Sequence, residues 1–172
     1  MSEKLMLSPN FSFDELTVTS NEKLQAANRE AAMAYLPSLK ALALLLEWAR
    51  DGKPLKVNSA FRSAALNKAT VGSSPTSQHP MGQAADISRP GSSSNALFED
   101  LRARLRADKR AFGQLIHESA RRDYGDVFWV HISLGANFWK PERCGEVLTK
   151  HDDPKTGKAV FTPVEKIPQE AI

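Results

Sequence analysis

The sequence predicts an α+β fold, a small and mostly antiparallel sheet with flanking helices. Two runs space their apolar residues as helices do, and several short runs alternate or are rich in β-branched residues, as strands are. No segment repeats and no linker interrupts the chain, so its 172 residues read as one domain. The core of that domain is expected at about 10–150, with 151–172 as a polar C-terminal tail.

Ser12 reads as an N-cap, with Glu15 three residues on to close a capping box, so residues 10–16 begin a helix. Residues 21–35 are rich in alanine and polar helix formers. Pro37 interrupts them, and a stronger helix follows over 38–50, where Leu39, Leu42, Ala43, Leu46 and Ala49 recur at helical spacing. Asp51 to Pro54 form a stop and a turn. Leu55 to Ser59 alternate as a strand, 63–69 suit a short helix, and 70–78 are a Ser/Thr-rich loop. Gln83 to Ile87 suit a second strand. Helix periodicity returns over Asn95 to Ala107, with Leu97, Leu101 and Leu105 on one face. Phe112–Glu118 and Val127–Leu134 are strand-like and joined by the charged turn Ser119–Asp126. The end, 149–172, is expected to pack loosely, with one strand over Lys158–Thr162.

Composition excludes several classes. Charged residues make up 25% and the net charge is only +3, with no dense Lys/Arg stripe of the kind a nucleic-acid binder carries. One cysteine, Cys144, permits no intrachain disulfide. The apolar stretch Leu39–Trp48 is too short to span a bilayer, so no membrane insertion is expected. Residues 1–10 lack the apolar region of a signal peptide, which predicts synthesis in the cytoplasm.

Chemistry concentrates around the scarce histidines. His79 and Asp86 flank Gly82, which permits a tight turn, and Ala84 and Ala85, which permit close packing. His131 shares a strand face with Trp129 and Ser133. Two histidines and one aspartate make a three-ligand set that leaves a fourth position for water, the pattern of a catalytic zinc site. The same residues also suit an ordinary hydrogen-bonded histidine and a capping aspartate, and spacing alone does not choose between them.

The run Ser77-Gln78-His79-Pro80-Met81-Gly82-Gln83-Ala84-Ala85-Asp86-Ile87 follows Val57-Asn58-Ser59-Ala60-Phe61-Arg62-Ser63. Trp129-Val130-His131-Ile132-Ser133 comes later. Together these resemble the M15 peptidases, the D-Ala-D-Ala carboxypeptidase and L-alanyl-D-glutamate endopeptidase group that shares its fold with the Hedgehog signalling domain. The resemblance runs over roughly 10–150 and is nearest to a branch common in phage genomes, whose members open on a segment like Asn10–Leu16. It implies one zinc ion held by His79, Asp86 and His131. It also implies Arg62 on a substrate carboxylate or carbonyl, Ser77 near the substrate, and Gln83 supporting the metal site.

Many members of that family place an acidic general base three residues before the last histidine, where this chain has Phe128. Glu118 and Asp126 are the alternatives, Glu118 preferred. The implied activity is hydrolysis of an amide bond in peptidoglycan stem peptides, by a monomer of the endolysin type that reaches the wall after holin-type release or as a virion component. The contrasting expectation is a non-catalytic module of the same fold. Trp129 and Trp139 are expected to flank the site strand.

Overall fold

The computed structural model describes residues 4–135, 137–138 and 140–169; Trp139 lies outside them. The fold is mixed α+β, with five α-helices and six strands among the described residues. The chain divides into two compact units, Met1–Asp86 and Ile87–Ile172.

The first unit is mainly helical. Helix α1 (Phe13–Thr17) begins as its capping signal predicts, Ser12 Oγ accepting from the Glu15 N–H at 3.2 Å. Helix α2 (Glu22–Ala32) is capped by Asn21 and passes through a 3-10 turn, Met33–Tyr35, into α3 (Leu36–Arg50). Pro37 therefore does not separate two helices. It occupies the first turn of α3, where a proline lacks no hydrogen bond that a helix needs. The resulting helical run Glu22–Arg50 is long and apolar enough by length and composition to cross a membrane. Its Leu39, Leu42, Leu45 and Leu46 are nevertheless buried within the protein. Strand β1 (Lys56–Ser59), helix α4 (Ala64–Ala69) and strand β2 (Ala84–Ser88) complete this half of the chain, β2 running across the boundary.

The second unit is a sheet with one helix. Helix α5 (Ser94–Ala107) buries Leu97, Phe98, Leu101 and Leu105. Strands β3 (Gln114–Arg122) and β4 (Gly125–Ser133) form an unbroken antiparallel hairpin from Leu115↔Ile132 to Arg122↔Gly125. Its turn is only Asp123-Tyr124, so the segment expected as a charged loop is mostly strand. The antiparallel ladder supplies its backbone groups with partners even where its side chains are polar.

The C-terminal segment differs most from expectation. Strand β5 (Glu146–Asp152) pairs parallel to β3, and β6 (Ala159–Lys166) pairs antiparallel to β5. A loosely packed tail is thus a hairpin. Ile167 is buried, and Glu165 accepts from Arg102 Nε at 2.5 Å and pairs with Arg106, fastening β6 to α5. Its strands read poorly in the sequence because most β6 side chains face solvent.

Candidate metal centre

In the first unit, a 3-10 turn, His79–Met81, sets the site's first imidazole. The carbonyl of Gln78 accepts from the Met81 and Gln83 N–H groups, and the carbonyl of His79 from that of Gly82. Gly82 closes this turn at φ +63°, in the left-handed region, where a β-carbon would be strained. That reversal carries the chain from His79 into β2 and so to Asp86.

The imidazole of His79 is 2% exposed. Its Nδ1 lies 2.6 Å from the carbonyl oxygen of Ala60. A carbonyl can only accept, so Nδ1 carries the hydrogen, and in the neutral ring Nε2 presents its lone pair. That Nε2 stands 3.4 Å from Asp86 Oδ1. Two electron-rich atoms at this separation repel unless a proton or a cation lies between them. The other carboxylate oxygen, Oδ2, is 3.5 Å from Arg62 Nη1. Arg62 Nη1 also donates to Ser59 Oγ at 3.3 Å, and the Arg62 N–H donates to the His79 carbonyl at 3.3 Å. His79, Asp86 and Arg62 thus meet. Ser77 has a local task, its hydroxyl accepting the His79 N–H at 3.3 Å. Gln83 is buried and donates its backbone N–H to Gln78.

In the second unit the β3–β4 register decides which side chains share a face. Opposed residues lie on one face of an antiparallel pair, and alternate residues along a strand do too. Ile116↔His131 and Glu118↔Trp129 therefore place Glu118, His131 and Trp129 together. The carboxylate Oε1 of Glu118 is 3.8 Å from His131 Nδ1, with both side chains largely buried. Lys150, the β5 partner of Glu118, reaches to 5.8 Å from the Trp129 ring and donates to the Ser119 carbonyl at 3.1 Å.

His117 faces the other way. Its Nε2 lies 2.9 Å from Ser94 Oγ, and its ring sits between Phe98 and Phe128, with centroids 5.6 and 5.9 Å away. Burial holds its pKa below the ordinary imidazole value. Asp126 is exposed near the hairpin turn, paired with Arg121. It is five residues from His131, about 17 Å along the strand, and on the opposite face. The expectation of Asp126 as an alternative base, five residues before His131, is therefore corrected by simple strand geometry.

Sequence reasoning missed Ala60 and Ser59, whose roles as backbone and hydroxyl acceptors leave no trace in residue type. It also missed Asn28, buried in the middle of α2, for which a polar residue inside an Ala-rich helix was the available signal.

His79, Asp86 and His131 are each buried, 2%, 9% and 7% exposed, and have the donor types a metal ion takes. Buried imidazole and carboxylate donors of this kind could hold a metal ion. Sequence comparison makes the class specific: the family described as Peptidase M15 matches residues 9–121, about two-thirds of the chain. The chain belongs to the M15 peptidases, which are zinc-dependent metallopeptidases. The matched span contains Arg62, Ser77, His79, Gln83, Asp86 and Glu118, and ends before Asp126 and His131. No curated protein matches the chain.

Proposed function

We propose that this chain is a zinc peptidase that hydrolyses an amide bond in peptidoglycan stem peptides, with His79, Asp86 and His131 as the metal ligands and Glu118 as the general base. The observation that carries this reading is the approach of His79 Nε2 to Asp86 Oδ1 at 3.4 Å while Nδ1 is engaged by the Ala60 carbonyl. A histidine oriented through its far nitrogen by a backbone carbonyl, with its near nitrogen facing a carboxylate, is arranged as metal ligands are. His131 supplies the third donor, of the residue type and burial that such a set needs.

Zinc held there would supply Lewis acidity and would lower the pKa of a coordinated water to about 7. The chain's own residues do the rest. Arg62 presents a guanidinium that orients a substrate carboxylate or carbonyl, and its contact with Asp86 Oδ2 fixes where that group points. Glu118, 3.8 Å from the His131 ring, takes the proton of the attacking water and returns it to the leaving amine. Trp129, opposite Glu118, walls the same face. The substrate class follows from the family likeness of the His79–Asp86 run, and stem peptides present the free carboxylates that Arg62 suits. The biological setting that fits is lysis of a bacterial wall by an endolysin-type enzyme.

Metal analysis of the wild type beside His79→Ala and His131→Ala tests the ligand set. Wild type is expected to hold one zinc per chain and both variants to lose it. Clearing of a peptidoglycan suspension, its abolition by a chelator, and mass spectrometry of the released muropeptides test the activity. A zinc-bound protein that releases no peptide from any wall type would instead be a non-catalytic module of the same fold.

A further inference from the structure

Arg62 lies in a short segment, Ser59–Ser63, with no regular structure of its own beyond β1, yet that segment holds the site at three points. The Ala60 carbonyl takes the His79 Nδ1–H, the Arg62 N–H reaches the His79 carbonyl, and the Arg62 guanidinium reaches Asp86. Something must fix the segment itself. Asn28, on α2 and fully buried, does so on both sides of Arg62. Its Nδ2 donates to the Phe61 carbonyl at 3.3 Å and to the Thr17 carbonyl at 2.8 Å, and its Oδ1 accepts the Ser63 N–H at 2.6 Å. One amide therefore ties the end of α1, the residue before Arg62 and the residue after it to a single point. The Phe61 N–H, bonded to the Leu16 carbonyl at 2.9 Å, adds a second tie to α1.

We propose that Asn28 is a positioning residue of the metal centre: it sets the Arg62 guanidinium and, through Ala60, the tautomer and direction of the His79 imidazole. The geometry is specific to an amide. Aspartate keeps the acceptor for Ser63 but loses both donors and turns a carboxylate toward two carbonyls. Alanine loses every polar group, and serine keeps one short hydroxyl in place of the two donors and the carbonyl oxygen, neither adding charge. A buried side chain satisfied at both ends rigidifies what it holds, and partners one step removed from a ligand set metal affinity. The inference rests on the proposed metal site, but its first readout does not need a metal.

The test compares wild type with Asn28→Asp, Asn28→Ala, Asn28→Ser and a control, Glu47→Gln. Glu47 clamps Ser8 and Asn10 to α3, away from the Arg62 segment, so the control lowers stability without touching it. Long-range proton–nitrogen NMR of metal-free protein reads the His79 ring. Wild type and control are expected to show His79 as one slowly exchanging Nδ1–H tautomer, and the Asn28 variants that fold a shifted or mixed ring signal. Cobalt(II) titration then reads the site, with affinity weakened about tenfold in the Asn28 variants and unchanged in the control. Unchanged His79 signals in a folded Asn28 variant overturn the proposal, whatever its thermal stability. Cobalt(II) failing to bind the wild type, with the NMR shift present, would overturn the metal site and leave the Asn28 assignment standing.

Discussion

Phe128 and His131, three residues apart on β4, point to opposite faces of the β3–β4 hairpin. On an unbroken strand, an odd separation always does this. Phe128, 53% exposed, stacks on His117, while His131 faces Glu118. The acid that many M15 members carry three residues before the last histidine has no place on this strand. The neighbouring strand carries a carboxylate, Glu118, 3.8 Å from the His131 ring.

Glu118→Gln is therefore expected to lower kcat by about 10²–10⁴-fold while zinc content stays at the wild-type level. Adding Phe128→Glu to that variant should restore nothing, because the new carboxylate points to the face opposite His131. Recovery of activity in the double variant, measured as muropeptide release, would show that the two faces exchange and would remove the argument for Glu118.

Arg62→Lys keeps the charge but loses the planar fork that receives a carboxylate in two bonds. Its expected effect is a KM raised about tenfold, with a smaller change in kcat. A synthetic stem peptide with a free C-terminal carboxylate, compared with its amide, reads this directly. Equal penalties on the two substrates would mean that Arg62 serves only to hold Asp86.

His117 should make the second unit sensitive to acid. Burial between Phe98 and Phe128 depresses its pKa in the folded state, whereas the unfolded chain titrates near the ordinary value of 6.5. With the folded value the lower of the two, the unfolded state binds more protons, so the contribution to stability is intact above 6.5 and declines as pH falls below it. His117→Phe is expected to flatten that decline in the unfolding midpoint between pH 7 and about 5, which thermal melts across buffers would measure. A pH dependence identical to wild type would place the acid sensitivity elsewhere.

Glu165→Ala should loosen the C-terminal hairpin, since its carboxylate joins β6 to Arg102 and Arg106 of α5. Removing an acceptor of charge-assisted bonds at a largely buried position costs about 1–3 kcal/mol, seen as a lower Tm. Burial alone would raise the Glu165 pKa, but the two arginines outweigh it and hold it below the usual carboxylate range. Zinc content and kcat are expected to stay unchanged, because Glu165 belongs to no part of the site. A loss of zinc in this variant would tie the hairpin to the metal centre.

Helices with an apolar stripe were legible almost to the residue: α5 was expected over 95–107 and occupies Ser94–Ala107. The Ser12 cap was legible because capping needs particular side chains at particular spacing. Strand β5 was not, since Glu146–Asp152 mixes charged residues into a buried ladder whose stability comes from backbone pairing with β3 and β6. The candidate site divides the same way. The side chains proposed for the site, His79, Asp86, His131 and Arg62, stood out in the sequence. Residues that act through a carbonyl or through a distant contact, Ala60 and Asn28, appear only once the chain is folded. Asp126 was misplaced because the sequence does not announce a two-residue hairpin turn at Asp123-Tyr124.

The turn at Gly82 has an outcome for how this enzyme can vary. A methyl group there would come within 3.1 Å of the Leu39 side chain on α3 and would also have to hold a left-handed backbone. The turn between His79 and Asp86 is thus pressed against the Leu39 side chain at Gly82, with little room for a β-carbon. Residue 82 must therefore stay glycine even if Leu39 shrinks, because the left-handed backbone strains any side chain placed there.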